Sequence, residues 1–247
     1  MSIKNILISQ QAPKTATPYT GIAEKFGINF DFHPFFVMEP LSSREFRSQR
    51  INILDYTAIV FTSRMAIDAF FQLCEELRVK VPETMKYFCS TEAVANYLQK
   101  HIVYRKRKIF FGNGTPEALI ALVGPKHKGD KFLVATSAPS GVDSTTKLFE
   151  ANGLDYTPAI FVKSVSQDLT GIDLHKYDML VVFNPSDVKS LFESYPDFKQ
   201  ENIKFLSYGR SIVSAMKEAG LTIEIEAPTA DAPSVSKALE NYLSANK

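Results

Sequence analysis

The sequence predicts an α/β protein built from two doubly wound parallel-sheet domains, which are joined by two extended crossovers; the first of the two domains is discontinuous. Three observations support this prediction. The chain has 247 residues, 45% of them hydrophobic and 22% charged, which is enough for two domains of ordinary size. Short apolar runs alternate with amphipathic stretches. A strand-turn-helix pattern also occurs twice, far apart in the chain.

Short apolar runs between polar flanks are typical of buried parallel strands. They occur at residues 3–8, 28–32, 58–61, 86–89, 108–111, 132–135, 156–165, 179–183, 204–208 and 222–226. Helical patterns separate them, at residues 18–26, 66–77, 92–99, 116 to Gly124-Pro125, 144–151, 187–195, 211–219 and 234–245. Alternating strands and helices imply parallel sheets that are covered on both faces.

These strands are too many for one compact sheet, so we expect two domains. The first combines residues 1–37 with 168–247, and the second, 42–162, is inserted into it. Residues 38–41 and 163–167 are then the crossovers.

Composition excludes several functional classes. The 28 Lys and Arg residues nearly balance the 27 Asp and Glu residues, and a net charge of +1 argues against nucleic-acid or membrane partners. The four histidines are scattered without ligand spacing, so no metal site is expected. Cys74 and Cys89 fall in apolar patterns and are interpreted as core thiols of a reducing compartment. With no signal peptide or 18-residue apolar stretch, the prediction is a cytoplasmic protein.

The internal repeat points to the functional region. Phe61, at the end of one buried strand, matches Phe183 at an offset of 122 (183 − 61), and Thr91 matches Gly209 at an offset of 118 (209 − 91). Each matched unit is a strand, a polar turn and the start of a helix. Such a turn exposes backbone N–H groups at the positive end of a helix dipole, at the sheet edge where α/β proteins bind ligands.

We therefore expect the four turns to line a cleft between the domains. The predicted substrate-binding residues are Thr62, Ser63, Arg64, Ser90, Thr91, Asn184, Pro185, Ser186, Gly209, Arg210 and Ser211. A simpler interpretation is open for each turn separately, because Ser, Thr and Asn side chains cap helices in most proteins.

The ordered motifs resemble the uroporphyrinogen-III synthase family. Members carry a strand that ends in Phe-Thr-Ser, which is Phe61-Thr62-Ser63 here. They also carry a later Gly-x-x-Thr-Ala turn, a helix ending at Ala-Gly-Leu and an Ala-x-x-Pro-Thr-like segment. The corresponding segments here are Gly209 to Val213, Ala219-Gly220-Leu221 and Ala227-Pro228-Thr229. The resemblance implies the two-domain fold with its discontinuous first domain.

The resemblance also implies an activity. The family cyclises hydroxymethylbilane, a linear tetrapyrrole with acetate and propionate groups, and inverts its last pyrrole ring with loss of water. It uses no metal or cofactor, and we expect a monomer whose partner is the small-molecule substrate. Because the substrate also cyclises unaided to the I isomer, the protein has mainly to orient it. Candidates for a proton donor to the departing water are Lys163, Ser164, Tyr156 and Tyr208.

Three positions depart from the family pattern. Val94, Val162 and Ile212 stand where relatives carry hydroxyl side chains, and the tyrosine that is the family's usual candidate donor is missing near Val162. The main alternative is therefore a catalytically silent member that binds tetrapyrroles or other anionic small molecules. A product assay that separates the two isomers discriminates between these hypotheses.

Overall fold

The computed structural model describes residues 3–15, 17–138 and 140–246. The chain divides into two compact units, the first formed by Met1–Val37 with Ser164–Lys247 and the second by Met38–Lys163. The strands are β1 (Asn5–Ile8), β2 (Asn29–Phe32), β3 (Phe36–Pro40), β4 (Ala58–Phe61), β5 (Lys86–Cys89), β6 (Ile109–Phe111), β7 (Phe132–Thr136), β8 (Tyr156–Ile160), β9 (Val162–Ser166), β10 (Met179–Val182), β11 (Lys204–Tyr208) and β12 (Ile225–Ala227). The helices are α1 (Pro18–Phe26), α2 (Ser43–Ser48), α3 (Arg64–Glu76), α4 (Glu92–Tyr97), α5 (Pro116–His127), α6 (Ser144–Ala151), α7 (Pro185–Ser194), α8 (Arg210–Glu218) and α9 (Val235–Ala245).

The first unit contains a parallel sheet with the strand order β12-β11-β10-β1-β2. Alternate residues of each strand point to opposite faces. Ile6, Ile8 and Val181 pack in one core with α1 and α9, whereas Leu7 and Val182 pack in the other with α7 and α8. Burial on both faces explains why these strands read as continuous apolar runs.

The second unit has the same design, with the strand order β6-β5-β4-β7-β8. Ile59 and Phe61 of β4 face a core that includes residues of α3 and α4. Ala58 and Val60 face a second core, which includes residues of α5 and α6. Cys74 and Cys89 are buried free thiols in the first of these cores, as predicted, and burial raises the pKa of both to about 12.

The two connections between the units are paired strands. β3 and β9 form a two-stranded sheet, and its ends are fixed by backbone hydrogen bonds. The Leu41 amide donates to the Phe161 carbonyl at 2.8 Å, and the Gln167 amide donates to the Phe35 carbonyl at 2.8 Å. Parallel sheets in both units and extended crossovers confirm the predicted fold class.

Several boundaries differ from the sequence prediction for local reasons. Helix α2 was not predicted, although a capping box of Ser42 and Glu45 starts it. Helix α5 was predicted to end at Gly124-Pro125; Gly124 does leave helical geometry (φ 45°, ψ −166°), but Pro125 starts a further turn that runs to His127. In the described part of the chain, no helix is long and apolar enough to cross a membrane.

Candidate functional site

The turn between β4 and α3 carries the first group of predicted residues. Ser63 caps α3, since its Oγ accepts a hydrogen bond from the Ala66 amide at 3.1 Å. The amides of Arg64 and Met65 have no acceptor among the described residues, so they remain open at the positive end of a 13-residue helix. The guanidinium of Arg64 lies over the Tyr97 ring, 5.5 Å from its centroid. This turn therefore combines two free donors with a cation that is held in place.

The next turn of the same unit contacts the first one directly. The Ser90 hydroxyl donates to the Thr62 carbonyl at 3.2 Å, and the Ser90 amide donates to the Phe61 carbonyl at 2.9 Å. Thr91 caps the short helix α4 by accepting from the Val94 amide at 3.3 Å. The structure thus brings Thr62 and Ser90 together, and it gives Ser63 and Thr91 capping roles.

The turn between β10 and α7 uses its own side chains to bind its amides. Asn184 Oδ1 accepts from the Ser186 amide at 2.9 Å, and the Asn184 side chain also accepts from the Asp187 amide. In return, Asp187 Oδ2 accepts from the amides of Phe183 at 2.8 Å and Asn184 at 3.0 Å. Pro185 has no N–H. The sequence predicts that this turn binds substrate through free backbone N–H groups. Such groups are scarce at Asn184, Pro185 and Ser186, because the side chains of the turn already bind them.

The turn between β11 and α8 is the opposite case. Gly209 adopts φ 118° and ψ 152°, a conformation that L side chains rarely adopt, and it provides no side-chain cap. Its amide donates to the Ala227 carbonyl at 2.7 Å. The amides of Arg210, Ser211 and Ile212 have no acceptor among the described residues, and the side chains of Arg210 and Ser211 are exposed. This turn therefore presents three consecutive free donors to an anion.

The candidate proton donors occupy different environments. Tyr208 lies beside the α8 turn, where its ring packs against Phe183 with centroids 5.9 Å apart and its hydroxyl donates to the Pro233 carbonyl at 3.0 Å. Tyr156 starts β8 and pairs with Phe132, so it lies at the amino edge of its sheet, opposite to the predicted turns. The structure does not bring it to them.

The two remaining donor candidates, Lys163 and Ser164, are consecutive residues of β9. The Lys163 ammonium lies 2.5 Å from Glu45 Oε1. Hydrogen bonds from Lys163 and Ser42 lower the pKa of Glu45 to about 2. Lys163 is thus already engaged with a carboxylate of its own unit.

Strand order adds candidate positions that the sequence alone did not indicate. In each sheet the chain winds outward in both directions from a switch point, between β1 and β10 in one unit and between β4 and β7 in the other. Open α/β sheets bind ligands at the carboxyl ends of such strands. The residues that follow β1, beginning with Ser9, therefore belong to the candidate site, together with the loop after β7. Only the strand order could have identified them.

The positions that lack the family hydroxyls are core positions in this chain. Ile212 is fully buried, and Val94 and Val162 are almost so. Their methyl groups pack in the cores of the two units. A hydroxyl at these positions would face apolar neighbours.

Comparison with known proteins identifies the family. The sequence matches the family described as "Uroporphyrinogen-III synthase HemD" over residues 18–237, which is most of its length. The chain belongs to this family.

Two solved synthase structures have the same fold. A mutant uroporphyrinogen III synthase from the extremely thermophilic bacterium Thermus thermophilus superposes with a TM-score of 0.55 at 16% identity, covering 99% of this chain and 100% of that one. The synthetase from Helicobacter pylori 26695 gives 0.57 at 18% identity, covering 98% and 100%. No curated protein sequence matches at a significant level. At these identities the structures support the fold, and the family match supports the activity.

Proposed function

We propose that this chain is a uroporphyrinogen-III synthase that cyclises hydroxymethylbilane with inversion of the last pyrrole ring and loss of water. The observation that carries the proposal is the family match, which runs through both units from residue 18 to residue 237. The open α8 and α3 turns supply the chemistry that an anionic, multiply carboxylated substrate needs.

The α8 turn is the first proposed carboxylate site. Three free amides, at Arg210, Ser211 and Ile212, point out of the helix N-terminus, and the Arg210 guanidinium is available for a charge-assisted hydrogen bond. A helix N-terminus stabilises a nearby anion by about 0.3–1 kcal/mol. Gly209 leaves the approach to these amides free of a side chain. The α3 turn, with the open amides of Arg64 and Met65, is the second proposed site.

Holding several carboxylates fixes the conformation of a flexible linear substrate. Orientation favours attack through the substituted carbon of the last pyrrole over the unaided closure that gives the I isomer. Tyr208 is the candidate donor nearest to an open turn and is exposed enough to reach the departing water. Ser63, Thr91 and Asn184 each fix the turn to which they belong by capping its helix.

The remaining expectations extend the proposal. We propose that residues 1–37 with 168–247, and residues 42–162, are the two domains, with 38–41 and 163–167 as crossovers. The protein works as a monomer without a nucleic-acid partner, and its location is the cytoplasm, where the buried thiols Cys74 and Cys89 stay reduced.

The test is an assay that generates hydroxymethylbilane in place and separates the I and III isomers of the product. We expect the III isomer to exceed the spontaneous background in proportion to protein concentration. In the same assay, Arg210→Ala should raise KM by about one to two orders of magnitude, because a charge-assisted hydrogen bond contributes roughly 1.5–3 kcal/mol. Lys217→Ala, on the same helix but in its last turn, is the matched control.

Two outcomes would redirect the proposal. Only I isomer, with saturable binding of the linear tetrapyrrole, would identify a catalytically silent member of the family. If the protein forms no III isomer and does not bind the linear tetrapyrrole, both functions are excluded.

A further inference from the structure

A buried polar cluster lies at the switch point of the first sheet. Three of its atoms, Ser9 Oγ, Asp187 Oδ1 and Ser207 Oγ, are buried and have no hydrogen-bond partner of ordinary geometry among the described residues. Such orphaned groups are rare in native proteins because each carries a desolvation cost. All three belong to the first unit.

Strand register shows how the cluster is arranged. Ile8 pairs with Val181, so Ser9 follows at the level of Val182, which itself pairs with Ser207. Leu7, Val182 and Phe205 face the core that contains α7. Because side chains alternate along a strand, Ser9 and Ser207 face the same side. The polar row therefore crosses the carboxyl ends of β1, β10 and β11 under the first turn of α7.

Asp187 is the ionisable member of the cluster, and its side chain is completely buried. One of its oxygens, Oδ2, binds the amides of Phe183 and Asn184 and so holds the turn that leaves β10. The other oxygen, Oδ1, faces no donor of ordinary geometry, although Ser9 is near enough to lower the pKa of the carboxyl. Hydrogen bonds therefore offset the desolvation of Oδ2, whereas the desolvation of Oδ1 is not offset in this way.

Among the residues that the structure describes, no charged neighbour stabilises the Asp187 carboxylate. Burial raises the pKa of Asp187 to about 6, and only the amides of Phe183 and Asn184 and the hydroxyl of Ser9 act in the opposite direction. Charged side chains on the surrounding elements do not contribute to this pKa. They are Lys189 and Glu193 of α7, Arg210, Lys217 and Glu218 of α8, and Lys204 of β11.

We propose that Asp187 is a positioning residue for the reaction: its ionised carboxylate holds the Phe183–Asn184 turn, and protonation of Oδ1 releases the turn. The inference rests on the proposed function, since this turn lies beside the open α8 turn. The Phe183 ring packs against the ring of Tyr208, the residue before Gly209, with their centroids 5.9 Å apart. Movement of residue 183 is thereby transmitted to the proposed carboxylate site.

The sign of the pH effect follows from the ionisation. Above pH 6 the carboxylate is charged, and its hydrogen bonds from the two amides are of the stronger, charge-assisted kind. As the pH falls through about 6, the carboxyl takes up a proton and these bonds weaken to the neutral kind. Asparagine keeps an acceptor oxygen at this position but does not titrate, so Asp187→Asn is the informative variant.

The experiment measures kcat/KM for the III isomer between pH 5 and 8 in the wild-type chain and in Asp187→Asn. The ratio of the two values cancels the titration of the substrate's own carboxylates. We expect this ratio to fall about tenfold from pH 7 to pH 5. A ratio that stays constant would overturn the proposal. Ser207→Ala removes a buried hydroxyl that does not bind the turn, so its kcat/KM should depend on pH as in the wild-type chain. If kcat/KM of Ser207→Ala did not depend on pH, the assignment to Asp187 would be overturned.

Amide hydrogen exchange tests the same anchor without any turnover. Protection of the Phe183 and Asn184 amides, relative to Asp187→Asn, should fall about tenfold between pH 7 and 5, even if the chain makes no III isomer and the proposed function fails. Equal protection at both pH values would overturn the anchor itself. If Asp187→Asn does not fold, Ser9→Ala provides the test: loss of its hydroxyl should move the midpoint of the wild-type pH profile upward, and an unchanged midpoint contradicts the proposal.

Discussion

The ammonium of Lys86 lies 2.7 Å from Oδ2 of Asp130, where the amino ends of β5 and β7 flank β4. The same carboxylate accepts from Thr57 Oγ1 at 2.9 Å, just before β4, and lies 3.1 Å from His127 Nδ1. Asp130 therefore ties the amino ends of three adjacent strands together, at the edge opposite to the candidate site.

Replacement of Asp130 should lower stability in a pH-dependent way. Burial raises the pKa of Asp130, but hydrogen bonds from Lys86, Thr57 and His127 outweigh it and leave the pKa below its usual value. The stabilisation is therefore complete above the unfolded pKa of about 3.9 and is lost as the pH falls through the lower folded value. We expect Asp130→Asn to reduce the free energy of unfolding by about 1–2 kcal/mol at pH 7, and by less at pH 3, in urea titrations.

Asp155→Asn is the control for that measurement. Asp155 is exposed near the same sheet edge, and its side chain makes no hydrogen bond among the described residues. An equal loss of stability in both variants, or a loss independent of pH, would contradict the role assigned to Asp130.

A side chain at position 209 should impair product formation more than folding. Gly209 has φ 118°, and the conformational cost of a β-branched residue there is of order 1–3 kcal/mol. A valine would also stand where substrate approaches the α8 amides. We expect Gly209→Val to lower III-isomer formation at least tenfold while the circular dichroism spectrum stays native. Gly171→Val is the control, because Gly171 has no positive φ and nothing within 4 Å of an added Cβ; equal losses of activity would refute this role for Gly209.

Restoring the family threonine at position 212 should destabilise the protein. Ile212 is fully buried between α8 and its sheet, so threonine would remove a methylene and bury a hydroxyl among apolar neighbours. We expect Ile212→Thr to cost about 2–3 kcal/mol in thermal or urea unfolding, and Ile212→Val only about 1. Higher III-isomer formation at unchanged stability would show instead that the hydroxyl reaches the substrate.

Loss of the Ser164 hydroxyl should have a small effect. One neutral hydrogen bond contributes roughly 0.5–1.5 kcal/mol, so Ser164→Ala should reduce kcat about tenfold or less. If this variant abolished turnover while Gly209→Val did not, a specific proton donor would have to replace the mechanism based on orientation. Ser166→Ala, two residues further along β9, is the matched variant.

The proposed inserted domain should fold alone. Residues 42–162 contain two buried cores, one on each face of their sheet. We expect the fragment to unfold cooperatively in denaturant, whereas residues 42–120, which lack β7 and β8, should not. A non-cooperative transition of the longer fragment would show that it depends on the rest of the chain.

Local patterns were sufficient to predict most strands and helices, because burial on both faces makes the central strands β1, β4, β7 and β10 nearly uninterrupted apolar runs. They also located the turns after β4, β5, β10 and β11. The pattern could not distinguish the capped Asn184 turn from the open Gly209 turn, because that depends on where side chains hydrogen-bond. Ser9 and Asp187 were missed since they are distant in the sequence and meet only through the pairing of β1 with β10.

The paired crossovers affect the order in which this protein can fold during synthesis. β1 pairs with β10 through Ile6 and Met179, which are 173 residues apart (179 − 6), and all of the second unit is translated between them. As an unfolded loop this segment would oppose that pairing through its closure entropy. Once the segment is folded, the hydrogen bond between Leu41 and Phe161 holds its ends together, so pairing β10 with β1 closes a much shorter flexible loop. Folding of the inserted unit before β10 is synthesised should therefore favour completion of the first sheet.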